Sequence, residues 1–166
     1  MNAAFLILRR LILSIASIAF VAALGAAENP RSGESVIAAL GDAHALAAHR
    51  PDLKVVRVSG DSMLPFFGDG AVLVVKRISL EKLRVGMVAV YTNRFHETVA
   101  HRLVSYTGTG WEARGYNNAE PDSTVITGAN LIGVVYATFH SDDRFDSPAV
   151  ASLAAGTPLA LAAPAR

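Results

Sequence analysis

The sequence predicts an all-β domain of small antiparallel sheets, and three observations carry that expectation. From Lys54 onward the chain runs through short β-prone segments at 54–58, 71–76, 86–91, 98–106, 111–114, 124–126 and 130–139. Clusters of turn formers separate them: Gly68-Asp69-Gly70, Gly108-Thr109-Gly110 and Asn117-Asn118-Ala119-Glu120-Pro121-Asp122. Short strands punctuated in this way belong to antiparallel β architecture. The third observation is Ala71-Val72-Leu73-Val74-Val75, apolar without interruption, as a strand covered on both faces must be.

Ahead of these strands the grammar differs. Arg9 and Arg10 precede an uncharged apolar stretch, Leu11 to Ala27. A secretory signal peptide combines a basic start, an apolar region of about 7–15 residues and small residues at the cut. Leu11–Leu24, then Gly25-Ala26-Ala27 and the polar Glu28-Asn29-Pro30, fits that description. A membrane-spanning helix wants about 20 apolar residues, with roughly 17 as the lower limit. Leu11–Ala27 just reaches that limit, and Ala3–Leu8 can lend length. The two arginines would then hold the N-terminus in the cytoplasm. Residues 1–27 are therefore expected to be a signal peptide or a single N-in anchor, an apolar helix in either case. Both readings put the rest of the chain at the extracytoplasmic (periplasmic) face; a core helix of a cytoplasmic protein is the third reading.

Residues 28–53 read as a helical linker. Ser35–Arg50 is expected to form a short amphipathic helix with Val36, Ile37, Leu40, Ala43 and Ala47 near one face, stopped by Pro51 and weakened by Gly41. The β domain is expected over 54–140. Residues 141–166 form an Ala- and Pro-rich tail without period, expected to be disordered or loosely draped.

Composition narrows the function classes. The 166 residues make one domain with a core of its own. A net charge of +1, with no basic stripe bearing interleaved aromatics, speaks against a nucleic-acid partner. With no cysteine, disulfides, thiolate catalysis and Cys-zinc sites are excluded. His44 and His49 are five apart and do not form a same-face metal pair, and His140–Asp146 lacks the spacing of a calcium loop. No metal or cofactor is expected, and oligomeric state leaves no mark on the sequence.

The chemistry gathers in Ser59-Gly60-Asp61-Ser62-Met63-Leu64-Pro65 and in Ala100-His101-Arg102. A serine hydroxyl is a poor nucleophile until a neighbouring base takes its proton. Ser62 lies in a Gly- and Pro-bounded turn after the β-prone Val55–Val58, and His101 lies within the β-prone Thr98–Val104. Gly60 allows close approach of a substrate to the backbone, and Pro65 stiffens the exit of the turn. Met63 and Leu64 read as packing residues.

Taken in order, Gly60-Asp61-Ser62-Met63-Leu64-Pro65, Gly68-Asp69 before an apolar strand, Val99-Ala100-His101-Arg102, and Gly115-Tyr116-Asn117-Asn118 with Asp122 close behind resemble the type I signal peptidases. The resemblance covers roughly residues 54–139. The same boxes, with lysine in place of histidine, are similar to those of the self-cleaving repressors, whose β-fold the resemblance implies. It further implies a membrane-tethered serine endopeptidase acting on exported preproteins, cutting an extended segment after small residues. An edge strand would hold that segment by β-addition.

Residue by residue, the resemblance implies Ser62 as nucleophile and His101 as general base. Lysine has a reference pKa near 10.4, so poising one near neutrality needs a shift of about three units, whereas histidine starts near 6.5. Lys76 and Lys82 precede the box in which the family's base falls; His101 lies in it. A histidine base needs a partner to fix its tautomer, and Asp122 is the expected one. The family commonly also carries an acid where this chain has Tyr116, and Gly-Asp where it has Gly86-Met87. For the oxyanion, the Ser62 N–H is the first expected donor. Relatives place a hydroxyl where Gly60 stands, leaving Ser59 as the side-chain candidate, since Asp61 has the wrong charge. These departures keep a second class open: a weakened site on the same fold that binds a peptide or partner without cutting it. A conjugation-type processing enzyme and a self-cleaving protein complete the alternatives, the latter opposed by the lack of a DNA-binding helix pair.

Overall fold

Six antiparallel strands form one mixed-length sheet with a single α-helix laid on it, in a computed structural model that describes residues 28–143. The expected apolar segment 1–27 and the tail from residue 144 lie outside the described residues. No helix among those described is long and apolar enough to cross a membrane.

Helix α1 spans Val36–Ala47. Ser35 caps its start, its Oγ accepting from the Ala38 N–H at 3.2 Å, and Asp143 supplies a second acceptor, Oδ2 taking the Val36 N–H at 2.7 Å. These satisfy two of the four donors that a helix N-terminus leaves unpaired. The buried stripe is Val36, Ala39 and Ala43, packed against Leu53, Val72 and Val74. Ile37, expected on that stripe, is instead exposed, because it sits one residue (about 100°) round from Val36. The helix thus belongs to the core rather than linking to it. Residues 141–143 are likewise built in: Ser141 is buried, its Oγ donating to the Gly70 carbonyl at 2.8 Å, and Asp142 Oδ1 accepts from the Ser32 and Gly33 N–H groups at 3.2 Å.

The strands are β1 (Leu53–Arg57), β2 (Val72–Lys76), β3 (Val88–Thr92), β4 (Thr98–Tyr106), β5 (Trp111–Arg114) and β6 (Leu131–Phe139). Their order is β1-β2-β6-β3-β4-β5. The expectation of several small sheets is corrected: β6 inserts between β2 and β3, pairing Val74 with Ala137 and Val90 with Gly133, and so joins the pair β1-β2 to the three strands β3-β4-β5. The run 124–126 forms no strand, only an isolated bridge from Ile126 to Trp111. The chain turns straight afterwards, with Asn130 Oδ1 accepting the Thr127 N–H at 2.7 Å.

The uninterrupted apolar run of β2 is explained by two-sided burial. Val72 and Val74 face the helix; Leu73 and Val75 face a second cluster with Met63, Phe67 and Val90. Val56 and Val58 from one side of the sheet and Val88 and Ala100 from the other pack on that same cluster, so the sheet curls. Curling brings the edge strand β1 opposite the first half of β4. That half is open: β5 pairs only with residues 102–106 of β4. A third cluster, on the other face of β3 and β4, holds Ala89, Tyr91, Leu103, Ala113 and Ile126.

Candidate active site

Between the β1 edge and the open half of β4 lies a groove of about 260 Å³ floored by Leu73 and Val90. Ser59, Gly60 and Ser62 line one end of it, and Thr98–His101 line the β4 side. Ser62 stands in the turn after β1. That turn is held by the Leu64 N–H donating to the Asp61 carbonyl and the Phe66 N–H to the Met63 carbonyl, with Met63 and Phe67 buried beneath it. The two apolar anchors leave the hydroxyl of Ser62 at the surface of the core rather than in it.

Three residues far apart in sequence meet here. The Ser62 Oγ lies 2.9 Å from His101 Nε2, and His101 Nδ1 lies 2.7 Å from Asp122 Oδ2. The imidazole is almost wholly enclosed, its side chain 8% exposed, and the carboxylate is 18% exposed. An ionised carboxylate only accepts, so the contact with Asp122 puts the proton on Nδ1 and leaves Nε2 to accept from the Ser62 hydroxyl. Asp122 reaches the histidine because its N–H donates to the Ala113 carbonyl at 2.8 Å, folding the post-β5 loop back over the sheet.

The parts played by three contributors went unread in the sequence. Tyr91 on β3 is fully buried, and its hydroxyl donates to Asp122 Oδ2 at 2.5 Å. Burial first, then the hydrogen bond and charge of Asp122, push the phenol far above its ordinary range. A buried tyrosine hydroxyl needs a partner, yet nothing local in Val88-Ala89-Val90-Tyr91 names a residue 31 positions away as that partner. Asn117 clamps the serine turn: its N–H donates to the Ser62 carbonyl at 2.9 Å and its Nδ2 to the Asp61 carbonyl at 3.2 Å. Gly115 allows that clamp to close, since a Cβ there would lie 2.6 Å from the Ser62 carbonyl oxygen. The Gly-x-Asn-Asn box was visible as a signature; its contact with the Ser62 turn was not.

Of the other residues singled out, Ser59 and Gly60 lie beside Ser62 on the groove wall, Gly60 with φ +89° and open space around it. Tyr116 points elsewhere. Its ring packs on Phe66 at 4.1 Å between centroids, with the Arg102 guanidinium 4.6 Å from its centre, while both nitrogens of His101 are occupied by Ser62 and Asp122. Lys76 Nζ lies over the Tyr136 ring and Lys82 ends a short 3-10 turn, Leu80–Lys82, while the Ser62 hydroxyl is engaged by His101.

Comparison of the chain with protein-family models, with curated proteins and with solved structures found no match.

Proposed function

We propose that the protein is a serine endopeptidase of signal-peptidase type, with Ser62 as nucleophile, His101 as general base and Asp122 as its orienting acid. The observation that carries this reading is the continuous hydrogen-bonded path from Ser62 Oγ through His101 to Asp122, with contacts of 2.9 and 2.7 Å. In the proposed reaction Ser62 Oγ attacks the scissile carbonyl carbon as its proton passes to His101 Nε2. The resulting imidazolium is stabilised by Asp122. Collapse of the tetrahedral intermediate breaks the C–N bond, and the amine leaves with the proton from His101. Water then attacks the acyl-enzyme, giving its proton to His101, and expulsion of Ser62 Oγ, which takes that proton back, releases the acid. The Ser62 N–H, which donates to no group among the described residues, is the first donor to the oxyanion.

The shape of the groove is compatible with the substrate class that the resemblance implies. An extended peptide laid between the β1 edge and the open half of β4 gains main-chain hydrogen bonds by strand addition. A space of about 260 Å³ floored by Leu73 and Val90 suits small apolar side chains at its buried positions. Arg9, Arg10 and the apolar Leu11–Ala27 favour exported preproteins at the outer membrane face as the source of such segments.

The test is incubation of the full chain, in detergent or lipid, with a preprotein panel beside Ser62→Ala. Site-specific cleavage by the parent, with none by the variant, is expected. Equal turnover by both refutes the assignment, and tight peptide binding without turnover by either reassigns the groove to binding alone.

A further inference from the structure

We infer that Tyr91 is a positioning residue of this site, its hydroxyl holding the Asp122 carboxylate in the orientation that places the His101 proton on Nδ1. The inference rests on the Ser62–His101–Asp122 reading and extends it one residue deeper into the sheet.

The geometry behind it is specific. In the β3–β4 ladder Ala89 stands opposite His101, and Tyr91 stands opposite Val99. Strand side chains alternate, so Ala89, Tyr91, Val99 and His101 share one face, and Tyr91 is the diagonal neighbour of the histidine. Ala89, the small residue directly opposite, leaves the space above it open to the two longer side chains. Asp122 enters from the β5 side, tethered by its own N–H to Ala113. Its Oδ2 therefore takes two donors at once, the Tyr91 hydroxyl at 2.5 Å and His101 Nδ1 at 2.7 Å. An oxygen engaged from both sides cannot swing away from the imidazole without breaking both contacts. Complete burial keeps the phenol from exchanging its partner for water.

The shared oxygen makes the role measurable without substrate. Two donors compete for one acceptor, so the strength of the His101 hydrogen bond depends on how strongly Tyr91 donates. In the resting parent, proton NMR should show a low-field imidazole N–H signal that His101→Gln abolishes. Tyr91→Phe, which keeps the ring, should move that signal downfield, because Asp122 then serves His101 alone. Global replacement of tyrosine by fluorotyrosine strengthens the phenol as a donor and should move the signal upfield, even if Tyr91→Phe melts early. A signal that does not move, or moves in the same sense in both, overturns the inference. None of these readouts needs turnover, so they stand apart from the success or failure of the peptidase assignment.

Kinetics supply the second arm. Outer partners that orient a functional histidine are typically worth about 10–100-fold. Tyr91→Phe should lower kcat by roughly 10-fold at unchanged KM, and it should cost nothing further in an Asp122→Asn background. An equal fractional loss in both backgrounds would assign Tyr91 to packing and overturn the positioning role.

Discussion

Gly115→Ala isolates the clamp on the Ser62 turn. The added methyl would sit 2.6 Å from the Ser62 carbonyl oxygen, whereas ordinary contact begins at 3.4 Å. One side must therefore yield by roughly 0.8 Å in a close-packed region. No left-handed backbone is involved at Gly115, so the strain is steric and local. The yielding parts are the Ser62 turn and the loop carrying Asn117, which are joined by the 2.9 Å bond from the Asn117 N–H to that same carbonyl. A displacement of that size stretches the 2.9 Å contact between Ser62 and His101 toward the limit of a hydrogen bond. Misplacement of a reacting group by about 1 Å can cost on the order of 100-fold. Gly115→Ala is thus expected to lower kcat on a cleavable preprotein by roughly 100-fold, with KM little changed, because the groove walls at Val56, Val58 and Ala100 are not among the groups the added methyl meets. Initial rates measured alongside thermal melts decide it. A folded variant with activity within twofold of the parent would refute the clamp, and a collapse of the melting temperature would show that the strain is not local.

Asp122→Asn is expected to cost about 10⁴ in kcat, because an amide favours the wrong tautomer and cannot stabilise the imidazolium. Tyr116→Phe, which removes only the hydroxyl of an exposed tyrosine whose ring packs on Phe66, is expected to cost little; a silent Asp122→Asn with a dead Tyr116→Phe would reverse the assignment of the acid. Lys76→Ala and Lys82→Ala should leave the cleavage rate and its pH profile in place, because Lys76 lies over the Tyr136 ring and the Ser62 hydroxyl is engaged by His101. A dead lysine variant beside an active His101→Ala would identify a different base. Folding stability should decline under alkali. The Tyr91 phenol is held far above its ordinary 10.0, so its contribution is complete below that value. It is lost as pH rises above that value, where the unfolded chain releases the proton and the folded one does not, at about 1.4 kcal/mol per pH unit. Denaturant melts at stepped pH should show that slope in the parent and lose it in Tyr91→Phe.

Much of the architecture lay open in the chain because it depends on local signals. The β-prone runs and their Gly, Asn and Pro punctuation located six strands to within two residues, and the two-sided burial of β2 could be read from Ala71–Val75. The helix was legible from Pro51 and the spacing of its small apolar residues, although Ile37 was assigned to the wrong face. Ser62, His101 and Asp122 were legible as separate boxes, each in a turn or strand of recognisable type. Other features depended on non-local pairing. A strand's sequence does not say which neighbour it takes, so the insertion of β6 between β2 and β3, which makes one sheet of two parts, could not be seen in Leu131–Phe139. The same holds for 124–126, whose β-prone residues found one bridge and no strand.

The sequence by itself determined which residue types stand in which kind of local structure: a serine in a tight turn, a histidine inside a strand, an acid after a proline. Only the tertiary structure decided their distances, through the curl of the sheet that opposes β1 to β4 and the fold-back of the loop that hangs Asp122 from Ala113. It alone supplied the roles of Tyr91 and Gly115, because both roles consist of contacts with residues 31 and 53 positions away in the chain. The physical reason is the range of the forces. Propensity, turn chemistry and periodicity act over a few residues and are written in their order. A hydrogen bond or a van der Waals contact across the sheet exists only once register and curvature have brought its partners together.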